Sequence, residues 1–336
     1  MLDDLKSLFQ RIGRLGFGGA SIGNLYRPIS EEQAEGVLLA AIESGIRYVD
    51  TAPFYGFGLS EKRIGRALAC DAASKVILSS KVGRRLDAAR DIDLTAVRSG
   101  FVSSEPYEAV FDYSYDAVMR SWEESRKRLC GKRIDILFAH DLGRRTHGDE
   151  HARHFRTFMQ GGYKALRDLR NSGEISAIGL GVNEVEVCIE ALEHADLDVI
   201  LLASRYTLLE QTPLDLLFPM CAAKGVSVVV GGPYSSGILA TGVRKDARYD
   251  YGVVPDGVVA KVTAIEQICR AYEVPLATAA LRFPLGHPQV TTVLPGLGKI
   301  GQVQAALDAM STPIPSALWD ELKFKGLLRP NTPTAF

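Results

Sequence analysis

The stretch Gly45-Ile46-Arg47-Tyr48-Val49-Asp50-Thr51-Ala52-Pro53-Phe54-Tyr55-Gly56 holds a short β-branched and aromatic run that follows a glycine, stops on an aspartate and turns through a proline to a tyrosine. It reads as a strand with Asp50 at its carboxyl end and Tyr55 in the loop beyond. Aspartate is disfavoured in strands and costly to bury alone, so a cation is expected beside Asp50, and Tyr55 stands where a side chain reaches a ligand. Taken alone, the stretch also fits a surface turn with an incidental acid.

Outward from it the same unit recurs. Residues 14–20 read as a first strand, and Ser30-Glu31-Glu32-Gln33 has the capping-box spacing, in which the serine and glutamine side chains each satisfy a free amide at the start of a helix that stops at Gly45. Strand 46–50 is followed by helix 60–68, strand 75–81 by helix 114–129, and strand 134–139 by helix 163–170. Strand 175–180 leads to helix 184–194, strand 198–204 to helix 214–223, strand 226–230 to helical stretches between 258 and 285, and strand 291–294 to helix 300–310. Runs such as Val226-Ser227-Val228-Val229-Val230 are continuously apolar, as a parallel sheet covered on both faces requires. Gly45, Gly131, Gly173 and Gly225 fall just past helices, where a left-handed cap suits a residue without a Cβ.

Eight strands alternating with helices imply an α/β fold, a single (β/α)8 TIM barrel over residues 1–336, with its site at the carboxyl ends of the strands. A doubly wound open sheet is the rival. It is weakened because Gly16-Phe17-Gly18-Gly19-Ala20-Ser21 breaks the G-x-G-x-x-G fingerprint at its last position and no Walker loop follows. Segments 82–113 and 232–256 are too long for simple joints and are expected to be lids or binding loops. Segment 141–162 carries His147, His151 and His154, a spacing that suits a metal on a helix or a solvated, charge-rich loop; without an HExxH pattern no metal is expected.

Composition narrows the function classes. The 39 basic and 40 acidic side chains give a formal charge of -1 without long blocks of one sign, so a small-molecule partner is expected rather than nucleic acid or membrane. Met1-Leu2-Asp3-Asp4-Leu5-Lys6 places acids where a signal peptide has its basic region, and no run approaches the roughly 20 apolar residues of a membrane span. A cytoplasmic protein is expected, with its oligomeric state open. Cys70, Cys130, Cys188, Cys221 and Cys269 are scattered without a CxxC pair and read as reduced, half-buried packing residues.

On a barrel, Asp50 ends the second strand, Lys81 the third, His140 follows the fourth and Tyr55 lies in the loop after the second, so all four face one mouth. Singly they read as a solvated lysine, a structural histidine and a rim aromatic around an incidental acid. Jointly they form an acid/base unit: a tyrosine is a poor base with a pKa of about 10, and a lysine cation within about 4–6 Å lowers it. Asp50 would aim Lys81, and His140 would hydrogen-bond a reacting oxygen or relay the tyrosine proton. No side chain supplies a hydride, so a nicotinamide is the natural donor.

At these residues the chain resembles the aldo-keto reductase superfamily over essentially its whole length. The resemblance is carried by Asp50-Thr51-Ala52-Pro53-Phe54-Tyr55-Gly56, Ser60-Glu61, Ser80-Lys81-Val82-Gly83, Arg133-Ile134-Asp135-Ile136-Leu137-Phe138-Ala139-His140-Asp141 and Val293-Leu294-Pro295-Gly296. Phe111-Asp112-Tyr113-Ser114, Arg126-Lys127-Arg128-Leu129 and Gly231-Gly232-Pro233-Tyr234-Ser235-Ser236-Gly237 resemble its branch of D-threo-aldose (L-fucose) 1-dehydrogenases, L-galactose dehydrogenases and a pyridoxal 4-dehydrogenase. The resemblance implies a catalytic tetrad of Asp50, Tyr55, Lys81 and His140. It also implies a nicotinamide cofactor held by Gly18, Gly19, Ala20, Asp50, Asn183, Ser204 and Tyr206, with Gly232, Pro233, Tyr234, Ser235 and Gly237 at the pyrophosphate. Pro295, Gly296, Leu297, Gly298, Lys299 and Gln302 would take the adenosine end.

Three positions depart from the family pattern. Gly181-Val182-Asn183 stands where Ser-Asn is usual, Ala203 where a glutamine is usual, and Gly231 where an aromatic stacks on the nicotinamide, leaving Tyr206 or Tyr234 as substitutes. A 2′-phosphate wants Lys or Arg donors, and the family's places for them read Gly296, Leu297 and Gln302 with Lys299 nearby, so NAD is favoured over NADP. The expected reaction is oxidation of the anomeric hydroxyl of a small aldose (L-fucose, D-arabinose or L-galactose type) to the lactone. The alternatives are oxidation of pyridoxal, NADPH-dependent reduction of an aldehyde or ketone, and a nicotinamide-binding regulatory subunit. Expected substrate contacts are Tyr26, Phe54, Tyr55, Phe101, Tyr113 and His140, while Trp122 lies in a helical pattern and belongs to the core.

Overall fold

Alternation along eight short strands divides their side chains between the inside of a barrel and the layer beneath its helices. The computed structural model describes residues 2–69, 75–90 and 92–334. The strands are β1 (Phe17–Gly18), β2 (Tyr48–Asp50), β3 (Ile77–Val82), β4 (Ile136–His140), β5 (Ala177–Val182), β6 (Val199–Ala203), β7 (Ser227–Gly231) and β8 (Val290–Leu294). Each pairs in parallel with the next. The ring closes where the Gly16 amide donates to Val293 O at 2.9 Å and the Gly18 amide to Pro295 O at 3.0 Å. This is the (β/α)8 barrel that the strand count implies, and the open-sheet rival falls.

Several strands begin a residue or two later than the apolar runs suggest. At their entries an acid side chain adds to the backbone bond: Asp135 Oδ2 accepts from the Leu78 amide at 2.9 Å and Asp198 Oδ2 from the Ile178 amide at 2.8 Å. The helix Glu31–Glu43 starts on Ser30, whose Oγ accepts from the Gln33 amide at 3.1 Å. Only half of the capping box forms, because Gln33 Nε2 donates to Gly298 O at 2.9 Å and ties this helix to the loop after β8.

Inside the barrel, Tyr48, Ile77, Ile136, Phe138, Val199, Leu201, Val229 and Leu294 fill the lower lumen, and Leu8 and Ile12 of the helix Leu2–Ile12 close its floor. That helix and Ser316–Phe324 are amphipathic elements that a strand-led reading leaves unassigned. Segment 82–113 contains an antiparallel hairpin, Arg84–Ala88 against Tyr107–Phe111, whose Leu86 packs with Phe57 and Phe101 in a small second core at the mouth. Segment 141–162 is not a loop. It holds the helical pieces Arg144–His147, His151–Thr157 and Phe158–Gly162, and its His151, His154, Phe155 and Phe158 are buried, so an apolar face overrides the charge of its surface.

Trp122 is buried as expected. Cys188, Cys221 and Cys269 are free and buried, whereas Cys130 is exposed on the turn leaving helix Tyr115–Arg128; Cys70 lies outside the described residues. No helix among the described residues is long and apolar enough to cross a membrane.

Beneath the helices, Glu61 is fully buried, accepting from Ser80 Oγ of β3 at 2.6 Å and from Arg128 Nε at 2.6 Å. This pair locks helices Leu59–Ala67 and Tyr115–Arg128 to β3. Removing one partner of a buried pair leaves the other charge uncompensated, so Glu61→Ala should lower unfolding free energy by about 3–5 kcal/mol in urea denaturation.

Candidate active site

On β2, β3 and β4 every second side chain points into the lumen, and each series climbs from apolar to polar. Tyr48 leads to Asp50, Ile77 to Ser79 and Lys81, and Ile136 and Phe138 to His140. Strand parity alone therefore delivers an acid, a lysine and a histidine to one level of the barrel.

Lys81 Nζ donates to Asp50 Oδ2 at 2.7 Å and to Thr51 O at 2.8 Å. Ser79 Oγ donates to Asp50 Oδ1 at 2.7 Å, so the Tyr48 hydroxyl, 2.9 Å from that Oγ, donates to it. Asp50 thus finds the cation its position demands. Room for the lysine comes from β5, where a Cβ on Gly181 would stand 3.2 Å from Lys81 Cε. Burial raises the Asp50 carboxyl above the usual range, while Lys81 and Ser79 oppose the rise.

Tyr55 lies over this pair, its ring centre 4.6 Å from Lys81 Nζ. The expectation that Lys81 lowers its pKa is not met. Burial pushes the phenol well above 10, the carboxylates of Asp50 and Asp141 push the same way, and the Arg84 cation opposes them. His140 has its ring centre 6.0 Å from that of Tyr55. Burial first, then the cations of Arg84 and Lys81, hold its imidazole well below 6.5, so it is neutral; its Nδ1 is buried without a hydrogen-bond partner. Phe54 and Phe101 complete this wall, with ring centres 5.5 Å apart.

Two residues missed by sequence reading stand beside the tetrad positions. Asp141 adopts a left-handed conformation (φ +48°), which turns consecutive residues, rather than alternate ones, toward the mouth, and its Oδ2 lies 3.5 Å from His140 Nε2. Arg84 donates to that Oδ2 from the base of the hairpin while its guanidinium lies 3.9 Å over the Phe54 ring. A signal existed for the first, since an acid follows directly on His140. Arg84 is placed by the hairpin, which no motif announces.

The loop after β7 crosses the mouth. Asp250 accepts from Arg205 at 2.7 Å and pairs with Arg145 at 2.8 Å, Tyr251 N donates to Ser236 Oγ at 2.9 Å, and the Tyr251 hydroxyl donates to Asn183 Oδ1 at 3.4 Å. Tyr251 is exposed, but its hydroxyl reaches Asn183 beside the site, and desolvation and the neighbouring Tyr55 and Asp141 raise its phenol. Tyr26, half-buried in a left-handed turn (φ +64°), faces the same loop, with Arg248 4.9 Å over its ring.

The cofactor-side residues form a rim around β1, β5, β6, β7 and β8. Gly19 donates to Asp50 O at 2.8 Å, and a Cβ there would meet Asp50 O and Ser60 Oγ at 2.7 and 2.9 Å, so only glycine lets β1 lie this close; Gly18 and Ala20 flank it. Asn183 Nδ2 donates to Asp141 Oδ1 at 3.3 Å. Ser204 and Gly232 stand together where β6 and β7 end, Ser204 Oγ donating to Gly232 O at 3.3 Å; Pro233 and Ser235 are buried beside them, and Ser235 Oγ lies 3.3 Å from Thr207 Oγ1. Beyond β8, Gly298 donates to Gln302 Oε1 at 2.8 Å, Pro295 and Leu297 are buried, and Gly296 and Lys299 are exposed at the start of helix Ile300–Ser311. Bare glycine backbone and the start of helix Ile300–Ser311, which no side chain caps, are a donor set that fits an extended, phosphate-bearing cofactor.

Two expected contacts are not in the site. Tyr113 is fully buried, its hydroxyl donating to His140 O at 2.7 Å and lying 2.9 Å from His147 Nε2, so it supports the back of β4 rather than facing substrate. Tyr206 is fully buried among Phe218, Phe283 and His287 and cannot stack on a cofactor; Tyr234 packs against the helix-side core. The three histidines of segment 141–162 have separate partners, His147 and His154 stacking at 4.0 Å while His151 lies 2.8 Å from Glu190. Among the described residues no group of His, Cys, Asp and Glu is arranged to hold a metal.

Comparison with known proteins places these features in context. The model of the aldo/keto reductase family matches residues 14–325. The chain is 39% identical over 322 residues to pyridoxal 4-dehydrogenase of Microbacterium luteolum, covering 94% of each chain. It is 36% identical over 314 residues to D-threo-aldose 1-dehydrogenase of a Pseudomonas species, covering 93% of each. The holo form of an aldo-keto reductase from Bacillus halodurans superposes with a TM-score of 0.71 at 25% identity, covering 97% of this chain and 94% of that one.

The depressed histidine gives a direct check on the electrostatics of the site. In nitrogen-15 NMR, assigned by loss of one signal in His140→Asn, the His140 imidazole should remain neutral from about pH 8 down to about pH 5.5, through the range in which an ordinary histidine titrates.

Proposed function

The chain belongs to the aldo/keto reductase family, and on that premise we propose that it oxidises the anomeric hydroxyl of a small aldose to the lactone, with NAD as the hydride acceptor. It is an oxidoreductase that uses a nicotinamide cofactor. The observation that carries the proposal is the Lys81 ammonium held by Asp50 and Thr51 O beneath the ring of Tyr55, with neutral His140 at its edge. That arrangement suits moving one proton at one oxygen.

A bound nicotinamide supplies the hydride acceptor that no side chain provides. Asn183 would hold its carboxamide, residues 232–237 its pyrophosphate, and residues 295–299 with Gln302 its adenosine end. Tyr55, as the tyrosinate, takes the hydroxyl proton and becomes the neutral phenol, while the hydride of C1 would go to the bound nicotinamide. Lys81 lies under the tyrosinate that this step consumes, Asp50 keeps Lys81 in place, and His140 hydrogen-bonds the substrate oxygen. Phe54 and Phe101 pack on the carbon face of the ring, while Tyr26 and Tyr251 offer polar groups to hydroxyls. NAD is favoured over NADP because Gln33 and Gln302, both neutral, hold Gly298 where a 2′-phosphate would want cations.

Pyridoxal is the second reading, favoured by the likeness to pyridoxal 4-dehydrogenase. Its aldehyde and hydroxymethyl groups sit on adjacent ring carbons and close to a cyclic hemiacetal, so both readings oxidise the same functional group. Initial rates of nicotinamide reduction with NAD or NADP across L-fucose, D-arabinose, L-galactose, D-glucose and pyridoxal separate them. Sugar turnover with NAD supports the first, and turnover of pyridoxal alone replaces it with the second.

The raised phenol sets the sign of the pH dependence. Oxidation needs the tyrosinate, which is scarce below the pKa of Tyr55, so kcat/KM for oxidation should climb about tenfold per pH unit between roughly pH 7 and 9. Tyr55→Phe should lower turnover by roughly 10²- to 10⁴-fold while cofactor binding, followed by protein fluorescence, persists.

A further inference from the structure

The mouth contains a second charge pair that the acid/base chemistry does not use. Asp141 and Arg84 are both largely withdrawn from water, with side-chain exposures of 8% and 13%. A buried ion pair is weak support for stability, since apolar residues of similar volume often serve as well or better. The pair also keeps unspent hydrogen-bonding capacity: Arg84 Nε is buried with no partner, and Asp141 Oδ1 holds only the long 3.3 Å contact from Asn183. The left-handed turn at Asp141 brings this carboxylate to the mouth, where its Arg84-bound Oδ2 lies 3.5 Å from His140 Nε2.

We propose that Asp141, held by Arg84, is a specificity-determining residue that accepts a hydrogen bond from the substrate hydroxyl on the carbon next to the reacting one. The inference rests on the aldose reading and deepens it by naming a 2-hydroxy aldose as the substrate class. His140 takes the oxygen at C1, and the adjacent carboxylate is one hydrogen bond away, where the C2 hydroxyl of the same sugar falls. Phe54 lies under Arg84 and beside His140, with ring centres 6.2 Å apart in the second case, so the flat carbon face of the ring and its hydroxyl edge meet different walls. A sugar without the C2 hydroxyl would leave a buried carboxylate and guanidinium short of a partner, and sites built to bind a hydroxyl reject analogues lacking it strongly.

The test compares D-arabinose with 2-deoxy-D-ribose, which is D-arabinose lacking its 2-hydroxyl, using the purified full chain and NAD. The wild-type protein should prefer D-arabinose in kcat/KM by about 100-fold or more. In Asp141→Leu that ratio should fall to within about fivefold, chiefly through loss on D-arabinose, with Asp141→Asn, which keeps an acceptor oxygen, and Arg84→Met intermediate. A wild-type ratio near one overturns the inference without any variant. A ratio unchanged in the folded variants, even if both rates drop, overturns it in favour of a structural pair. Oxidation of no sugar by the wild-type protein overturns the aldose reading and this inference with it, whereas sugar turnover with an unchanged ratio overturns the inference alone.

Discussion

The ion pair of Lys81 and Asp50 is the constraint on which the rest of the mouth depends. Each charge costs several kcal/mol to withdraw from water, and the cost is offset only because every neighbouring group is spent on the pair. Ser79 and, through it, Tyr48 serve Asp50, while the backbone carbonyl of Thr51 serves Lys81. The apolar lumen and the floor helix keep water from reaching the pair from below. Burial is the largest influence on Tyr55 and His140 and drives both to their uncharged forms, and the charges of Asp50 on the phenol and of Lys81 on the imidazole push the same way. The mouth is therefore a place where a neutral phenol and a neutral imidazole stand between two compensated charge pairs, Lys81 with Asp50 and Arg84 with Asp141.

Much of this was legible in the sequence because period two is a strong code. Asp50, Lys81 and His140 end strands at positions whose parity puts them inside, and Gly181 is small where Lys81 must pass. What the code cannot give is direction beyond the strand end. Tyr113 stands in the sequence like a loop aromatic, yet it follows a hairpin that turns it behind β4, and Tyr206 leaves β6 through a left-handed residue, Ser204, that sends it into the helix layer. Asp141 is the converse case, an outward position by parity brought inward by its own positive φ.

Long-range partners account for the other differences. Gln33 is placed to complete its own helix cap, but a carbonyl 265 residues away, in the loop after β8, competes successfully for its side chain. Segment 141–162 has enough charge to read as solvated, and only the packing of His151, His154, Phe155 and Phe158 against neighbouring elements makes it helical. Both are tertiary effects overriding a correct local propensity.

The loops that shape the mouth also set its chemistry, and the two roles are not separable. Burial is the largest influence on both Tyr55 and His140, and that burial is supplied by Phe54, Phe101 and the β7 loop, the elements that stand against a substrate. Asp250 bridges Arg145 and Arg205, so one carboxylate ties the elements following β4, β6 and β7 together over the site. Loosening that tie would admit water to the phenol and the imidazole, and water would return each toward its ordinary pKa. A barrel mouth built in this way changes its acid/base strength whenever its loops change to suit a different ligand, so alterations of specificity within such a scaffold carry a shift in proton affinity with them.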